Sequence, residues 1–296
     1  MKIGTVFPQL EIGNDVGAIK AYAQAAEALG FDSIHSADHV VHIDNDYWKR
    51  PNVPGYNTKT QLIDPFVLFT WMGAVTKKVT FVGGILLLPE RETCLVAKQA
   101  ASLDYLTGGR LRLCMGIGNF KPEFEALRLG DIFHVRGKYC EEQIALLREL
   151  WTKETVQFEG KWHTVKGFGS NPLPVQRPIP IWVGGYDDRV HRRAGRVADG
   201  FLFARERPTD ATAQIVEKIR GYAKAAGRNP DKLGIEGRVG LVNKGTIEQC
   251  ISETFAWKET GVSHVVLMSI YGGLQGPDQH IQAMRRYMEG VSSVAD

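Results

Sequence analysis

The densest group of chemically active side chains is the segment His35-Ser36-Ala37-Asp38-His39, which His42 follows closely. A histidine can exchange a proton or donate a hydrogen bond between about pH 5 and 8, and a neighbouring carboxylate can orient it or bind a hydroxyl group. The same residue types are also metal ligands, so a metal site is a rival interpretation. A third interpretation is that these side chains are hydrogen-bonded at a strand end and serve the fold alone.

Two pairs of glycines stand where a loop could approach a ligand closely. Gly116-Ile117-Gly118 follows one predicted strand, and Gly184-Gly185 follows another and precedes Asp187-Asp188 and a helix. Backbone N–H groups of successive glycines before a helix can bind phosphate, although the same pattern occurs in ordinary turns. The G-x-G lacks the third glycine of a dinucleotide-binding motif, and the sequence contains neither a P-loop nor a G-x-S-x-G motif.

A small basic cluster lies on the predicted helix after the second glycine pair. It consists of Arg189, His191, Arg192 and Arg193. Most such clusters form a solvated helix face. The functional alternative is contact with the anionic tail of a cofactor, because arginine pairs well with phosphate and carboxylate groups.

The elements that must position these residues are short β-branched strands that alternate with amphipathic helices. Strands joined through helices pair in parallel, and eight such units predict an α/β fold of the (β/α)8 or TIM-barrel type, whose typical size is ~250 residues. Active sites of such barrels lie at the carboxyl ends of the strands, where the histidine segment and both glycine pairs fall. The predicted strands cover residues 2–7, 31–35, 79–88, 111–115, 179–183, 200–203, 234–242 and 264–268.

Two other architectures receive less support from the sequence. A doubly wound sheet would need a glycine-rich turn after the first strand, and Phe7-Pro8-Gln9 does not supply one. Metal-dependent barrel hydrolases usually carry H-x-H on the first strand and an Asp after the last. The corresponding segments KIGTVF and HVVLMS carry neither, so we expect no metal site.

Two segments are longer than a minimal barrel requires, and we expect them to be insertions after strands 2 and 4. The first, residues 38–64, is rich in aromatic and turn residues, among them Tyr47, Trp48 and Tyr56. The second, residues 119–178, contains a predicted helix around 139–151 and a predicted hairpin at 155–165. Loops longer than about 12–15 residues are uncommon unless they are functional or disordered. Surface decoration is the alternative.

Composition restricts the class of protein further. Lys+Arg 36 against Asp+Glu 33 leaves a net charge of +3, and no basic block of the kind that binds nucleic acid occurs. With 44% hydrophobic residues the chain can bury a large core, and we expect one domain over residues 1–296. The four cysteines are far apart, so they predict reduced thiols. No window approaches ~20 apolar residues, so we expect no membrane span and a cytoplasmic location.

Taken together, the motifs resemble those of the bacterial luciferase-like superfamily of (β/α)8 flavoproteins. The resemblance is closest to the branch that uses the deazaflavin coenzyme F-420 (also written F420), and it covers nearly the whole chain. It rests on the order and spacing of AEALGFDSIHSADHVV (26–41), FVGGILLLPERETCLVAKQAASLDYLTGGRLRLCMGIGNFKPEFEALR (81–128) and PIPIWVGGYDDRVHRRAGRVADGF (178–201).

The resemblance implies a role for several positions of this sequence. Asp38-His39 would lie against the polar edge and reactive centre of the deazaflavin, with His39 as the catalytic residue. A bulge in the third strand, often with a non-prolyl cis peptide, falls near residues 84–86, where Ile85 and Leu86 would contact the back of the ring system. The other implied cofactor-binding residues are Gly116, Gly118 and Asn119 around the ring and Val183, Gly184 and Gly185 at the phosphate.

The sequence departs from the family pattern in two places. Several deazaflavin enzymes carry an acid directly after the G-x-G, and here Asn119 stands there, which can form hydrogen bonds but cannot deliver a proton. Flavin-binding branches often show Glu-His-His after strand 2, whereas this chain has Asp38-His39-Val40, a pattern that favours deazaflavin over FMN. The first departure leaves His39 as the proton-active group and puts any mechanism that needs the acid in doubt.

The resemblance therefore predicts an oxidoreductase that transfers hydride between the deazaflavin and a small organic substrate. Asp38 would hold the cofactor or orient His39, and the loop with Tyr47, Trp48 and Tyr56 would shape an apolar substrate pocket. An FMN-dependent monooxygenase that uses O₂ and a non-catalytic cofactor-binding protein are the alternatives, with a metal-dependent hydrolase behind them. Relatives are often dimers through helices near the second and third strands, so we expect a homodimer.

Overall fold

The structure, a computed structural model, describes residues 1–13, 15–49 and 57–295. Its central feature is a closed barrel of eight parallel strands, each paired with the next barrel strand along the chain and the last with the first. The predicted (β/α)8 architecture is therefore confirmed. The barrel strands are β1 (Lys2–Val6), β2 (Ser33–Ser36), β3 (Thr80–Leu87), β4 (Leu111–Gly116), β7 (Ile181–Gly184), β8 (Gly200–Leu202), β9 (Gly234–Gly240) and β10 (His264–Met268).

Helices connect the strands and cover the outside of the barrel. Side-chain caps begin several of them, as in the reciprocal capping box of Thr246 and Gln249. The helices are α1 (Gln9–Ile12), α2 (Val16–Ala28), α3 (Pro65–Ala74), α4 (Thr93–Thr107), α5 (Lys121–Ala126), α6 (Arg136–Thr152), α7 (Asp188–Val197), α8 (Asp210–Ala225), α9 (Ile247–Glu259) and α10 (Gly276–Val291).

The long segments after β2 and β4 differ in what they contain. Between Ser36 and α3 the described chain has no regular helix or strand, and residues 50–56, including Tyr56, lie outside the described residues. Between β4 and β7 the chain forms α5, α6 and an antiparallel hairpin of β5 (Val156–Glu159) and β6 (Thr164–Phe168). The predicted helix and hairpin are both present there, with the second hairpin strand extending three residues beyond the predicted end at Val165.

The barrel interior holds a charged cluster beside an indole ring. The guanidinium of Arg112 donates to Glu236 at 2.5 Å and lies 4.0 Å from the ring centroid of Trp182. Trp182 fits because Gly200 and Gly234 carry no side chain, and a Cβ atom at either position would overlap its ring. The interior is therefore packed with side chains, and ligand access is restricted to the strand ends.

The state of the cysteines and the character of the helices bear on two of the sequence predictions. All four cysteines have free thiols, with Cys94 exposed and the other three buried. Among the residues that the structure describes, none of the helices combines the length and apolar character that a membrane span needs.

Candidate active site

The carboxyl end of β3 carries the irregularity that the family resemblance implies. The pairing of β3 with β4 shifts register between Gly84 and Leu86, and the Gly84–Ile85 peptide bond is cis without a proline. Both features lie within residues 84–86, so the predicted bulge is confirmed. The side chain of Leu86 is buried in the main core, which leaves Ile85 as the side chain that the bulge presents.

Ile85 joins three barrel strands at the mouth of the barrel. A Cβ atom at Gly116 would overlap Cγ2 of Ile85, and one at Gly184 would lie 2.8 Å from its Cδ1. The structure thus brings together Ile85, Gly116 and Gly184, as the resemblance implies. Val183 is buried with its side chain in the core, so at this position only the backbone faces the mouth.

The charged cluster of the barrel interior supports the bulge from below. Arg238 donates to the carbonyl oxygen of Gly84 at 3.5 Å, at the limit of a hydrogen bond. His35 is fully buried, with Nδ1 3.7 Å from Glu236. Burial, together with the nearby positive charges of Arg112 and Arg238, lowers the pKa of His35 well below its usual range. His35 is therefore neutral and belongs to the interior cluster rather than to the site above it.

Asp38 has structural partners that the sequence does not reveal. Its carboxylate accepts two hydrogen bonds from Arg91, at 2.6 and 3.1 Å, and a third from the Leu87 N–H at 3.1 Å. Arg91 also donates to Asp64 at 2.8 Å. Asp38 therefore ties the segment after β2 to the end of β3. The prediction that it orients His39 is wrong, because its oxygens bind Arg91 instead.

The carboxylate that contacts His39 comes from α5. Nδ1 of His39 lies 3.2 Å from Oε1 of Glu123, whose side chain is only 3% exposed, whereas that of His39 is 25% exposed. His42 lies close to the same pair, and burial together with the charge of His39 lowers its pKa. The imidazole of His39 thus connects a buried carboxyl group to the open side of the strand ends.

A second buried carboxyl group, Glu90, lies in the turn after β3. Neither of its oxygens has a hydrogen-bond partner within the described part of the chain, and the residue is 3% exposed. Burial, with the nearby charges of Glu123 and Asp38, raises the pKa of Glu90 to about 8. Glu90 is therefore largely protonated at neutral pH.

Gly118 places Glu90 beside the predicted ring pocket. A Cβ atom at Gly118 would lie 2.5 Å from Oε1 of Glu90 and 2.9 Å from the ring of Phe124, and its φ of +66° favours glycine. Arg136 donates to the Gly118 carbonyl oxygen at 3.0 Å. The next residue, Asn119, is exposed. The loop after β4 thus packs against the Glu90 carboxyl group at Gly118. It presents an exposed side-chain amide at Asn119.

Sequence reasoning did not select Glu90 or Glu123. The two residues stand in LPE and KPEFEA, neither of which follows a catalytic pattern. Their burial depends on contacts between β3, β4 and α5 that only the folded chain reveals. The one available signal was their place just after strands 3 and 4, at the end of the barrel where active sites lie.

The two long segments meet above these residues. Trp48, from the segment after β2, contacts Phe120 of the β4–α5 loop with ring centroids 5.8 Å apart, and Tyr47 contacts Trp48 at 5.2 Å. Aromatic rings from two loops therefore border the mouth near Glu123. Tyr56, predicted to join them, lies outside the described residues.

The start of α7 is partly occupied by the chain's own carboxylate. Asp187 caps the helix by accepting from the Arg189 N–H at 2.8 Å, and its side chain also pairs with the Arg189 guanidinium. These contacts lower the pKa of Asp187. The backbone of Gly184-Gly185 precedes this cap, so any anion held there would lie next to the exposed Arg189.

The predicted basic cluster divides between two environments. Arg189 and Arg192 are exposed and pair with Asp187 and Asp188. Arg193 is buried and pairs with Glu141 at 3.0 Å, and His191 packs edge-to-face on Phe201. Arg193 and His191 therefore contribute to packing. Of the four residues of this cluster, Arg189 and Arg192 are the ones available to a ligand.

The residues considered as metal ligands do not converge. His35 belongs to the barrel interior, Asp38 binds Arg91, and His39 contacts Glu123. Within residues 1–13, 15–49 and 57–295, no three His, Cys, Asp or Glu side chains are grouped as a metal ion would require. The described geometry gives the metal interpretation no support.

The chain as a whole matches one family of known proteins. The family model described as luciferase-like monooxygenase matches residues 2–265. An uncharacterized protein of Mycobacterium tuberculosis is 35% identical over 210 residues, which cover 70% of this chain and 71% of that protein.

Relatives with named activities differ in their cofactor. The F420-dependent glucose-6-phosphate dehydrogenase of Nakamurella multipartita is 26% identical over 294 residues, covering 90% of this chain and 82% of that enzyme. The FMNH(2)-dependent dimethylsulfone monooxygenase of Pseudomonas putida is 33% identical over 168 residues, covering 56% and 46%. Among solved structures, an F420-dependent secondary alcohol dehydrogenase in complex with an F420-acetone adduct superposes with a TM-score of 0.80 at 20% identity, covering 100% of this chain and 99% of that one.

Proposed function

The chain belongs to the luciferase-like monooxygenase family, and from this premise we propose that it is an oxidoreductase that transfers hydride between the deazaflavin coenzyme F-420 and a small organic substrate. The observation that carries the proposal is the set formed by Ile85, Gly116 and Gly118 at the mouth of the barrel, with His39 and two buried carboxyl groups beside it. Of the three relatives compared above by sequence, the one matched over the greatest share of the chain is named as F420-dependent.

The residues at the mouth fit a flat ring system. Ile85 offers an apolar surface and packs directly on the backbone of Gly116 and Gly184, while Glu90 and Phe124 pack on the backbone of Gly118. The bound deazaflavin would supply the hydride chemistry. Ile85 and the Leu86 backbone would support the ring from behind, with Gly116, Gly118 and Asn119 along its edge. The Glu90 carboxyl next to Gly118 gives this edge a hydrogen-bond donor at neutral pH.

The anionic part of the cofactor would be held between β7 and α7. The backbone of Val183, Gly184 and Gly185 leads to the start of α7, where N–H groups favour negative charge. Burial lowers the pKa of Arg136, and the nearby positive charge of Arg189 lowers it further, so the two guanidinium groups lie in the same region. These two guanidinium groups would therefore attract a phosphate. To bind it, Arg189 would give up its exposed ion pair with Asp187.

His39 would move the proton at the reacting centre, and Asp38 would position the cofactor pocket by holding Arg91. Trp48 and Phe120 would border the pocket of a small substrate with an apolar part. The substrate would therefore enter between the two long segments, on the side of the pocket away from Ile85.

A homodimer is part of the proposal because α3 and α4 present an apolar surface. The two helices pack side by side, and Val67, Trp71, Leu95 and Leu106 are between 44% and 70% exposed on them. An exposed apolar patch of this kind is typical of an interface between chains. The patch follows strands 2 and 3, as expected for this family.

The second candidate function is an FMN-dependent monooxygenase, and the Pseudomonas putida relative favours it. The two activities differ in the acceptor of the reducing equivalents, which is O₂ only for the flavin enzyme. A cofactor-binding protein without catalysis is the third candidate, and the exposed Asn119 in place of an acid is the feature that permits it.

The test is a turnover assay with each cofactor. Purified protein is incubated with oxidised deazaflavin and a panel of secondary alcohols and sugar phosphates, and bleaching of the deazaflavin absorbance is followed. A parallel assay offers reduced FMN, O₂ and a panel of alkanes and sulfones. We expect turnover in the first assay only; turnover in the second alone would contradict the proposal, and turnover in neither would favour the binding protein.

A further inference from the structure

Arg238 of β9 is an arginine of the barrel interior with unused hydrogen-bond donors. Within the described chain its side chain donates to one group, the Gly84 carbonyl oxygen, at 3.5 Å. Its Nε is buried without a partner there, and the acid two positions before it, Glu236, pairs with Arg112 instead. A guanidinium carries five N–H donors, and buried polar groups are normally satisfied. The donors left on Arg238 are therefore available to a ligand.

The side chain of Arg238 points into the barrel and reaches its mouth. Side chains alternate along a strand, and a Cβ atom at Gly237 would overlap the ring of Trp257 on the outer helix α9, so Arg238 faces the interior. Arg238 is nevertheless partly exposed. Exposure inside a packed barrel comes from an open end, and the carboxyl end is the near one because β9 ends at Gly240. The guanidinium therefore borders the mouth, next to the Gly84 carbonyl oxygen.

The guanidinium also lies beside the apolar surface that is proposed to support the ring. Ile85 follows Gly84 directly in the chain, and its side chain packs on the backbone of Gly116 and Gly184. The hydrogen bond from Arg238 to the Gly84 carbonyl oxygen therefore places a positive charge within one residue of this surface. A flat ring held against Ile85 lies within reach of that charge.

Positive charge exceeds negative charge in the interior cluster of Arg112, Glu236, Arg238 and His35. Burial lowers the pKa of His35 well below its usual range and raises the pKa of Cys114 to about 12, so both groups are neutral at pH 7. Burial lowers the pKa of Arg238 as well, but an arginine keeps its proton at neutral pH. Burial raises the pKa of Glu236, and protonation of this acid would only enlarge the excess. The cluster therefore carries at least one positive charge that Glu236 does not balance.

We propose that Arg238 contacts the cofactor and binds the negative charge that the deazaflavin ring gains when it is reduced. The proposal rests on the proposed function and adds a residue that distinguishes the reduced ring from the oxidised one. When an alcohol is the substrate, its C–H bond breaks, a C–H bond forms on the ring, and the alcohol oxygen gives its proton to His39. The alcohol is oxidised to a carbonyl compound, and the ring becomes more negative by one charge. A guanidinium beside the ring stabilises this charge.

The experiment compares the wild type with Arg238→Met, which removes the charge, and with Arg238→Lys, which keeps it. The control is Arg286→Met, at an exposed arginine of the outer helix α10 that pairs with Glu248. Thermal unfolding first establishes that each protein is folded. Dissociation constants of oxidised and of chemically reduced deazaflavin are then measured for all four proteins, without substrate and without oxygen. The ratio of the two constants gives the shift in the reduction potential of the bound cofactor.

We expect the wild type, Arg238→Lys and Arg286→Met to bind the reduced form more tightly than the oxidised form. Arg238→Met should weaken binding of the reduced form about tenfold or more, because a charge-assisted contact is lost, and should change binding of the oxidised form far less. Equal weakening of both forms would show that Arg238 only holds the Gly84 carbonyl oxygen, and this overturns the proposal. A wild type that prefers the oxidised form overturns it without any variant. Failure of the wild type to bind either form overturns the proposed function instead.

Discussion

Nδ1 of His39 lies 3.2 Å from Oε1 of Glu123, and 84 positions of sequence separate the two residues. The adjacent side chain, Asp38, points to Arg91. The two neighbouring residues therefore have different roles. His39 belongs to a set of proton-active side chains, and Asp38 stabilises the loop that carries His39.

Substitution Asp38→Ala should lower stability sharply. Arg91 would lose two hydrogen bonds in a buried setting, and removing one partner of a buried ion pair costs about 3–5 kcal/mol. Urea unfolding measures the loss. The control Glu159→Gln breaks the exposed pair with Lys166 and should cost no more than about 1 kcal/mol. Equal losses in the two variants would show that Asp38 does not fasten the loop.

The glycines around Ile85 should differ in their tolerance of a methyl group. Gly116→Ala would overlap Cγ2 of Ile85, which is fixed near the backbone, and overpacking of this kind costs about 1–3 kcal/mol. Gly184→Ala meets the end of the same side chain, which can move, and should cost less. Thermal unfolding of both variants, alone and combined with Ile85→Ala, tests the contact. If Ile85→Ala does not relieve the cost at Gly116, then Ile85 is not the cause.

Substitution His39→Ala should reduce turnover far more than cofactor affinity. A positioned acid–base group contributes about 10²–10⁴-fold to rate. The dissociation constant of the deazaflavin and kcat for the best panel substrate are measured on the same preparation. His39→Gln is the matched variant, because it keeps a hydrogen-bond donor toward Glu123 but cannot exchange a proton. Wild-type turnover in either variant would remove His39 from the mechanism.

Stability should fall as the pH rises toward the alkaline range, because of Glu90. In the folded chain its pKa is raised from the ordinary 4.5 to about 8. The neutral carboxyl therefore favours folding, and this contribution is complete below about pH 4.5 and is lost as the pH rises through about 8. Denaturant midpoints of the wild type and of the control Glu125→Gln, at an exposed residue that pairs with Lys121, should decline over this interval. Glu90→Gln, which cannot ionise, should show a flatter curve; a parallel decline would assign the effect to other groups.

The sequence supported the fold and the positions around the bulge better than it supported the proton-active set. Strand and helix periodicity is local and predicts the barrel strands, whereas the register shift at residues 84–86 is predicted by the family resemblance alone. The pairing of Asp38 with Arg91, and the burial of Glu90 and Glu123, arise from packing between β3, β4 and α5. Such contacts join residues far apart in the chain, and no local pattern indicates them.

The proposed activity depends most on the identity of the cofactor, and an equilibrium titration identifies that cofactor directly. Purified protein is titrated in separate experiments with oxidised coenzyme F-420 and with FMN, and binding is followed by quenching of the cofactor fluorescence. The expected result is saturable binding of coenzyme F-420 that Gly116→Ala weakens, with FMN bound far less tightly. Tight binding of FMN with no binding of coenzyme F-420 would contradict the account.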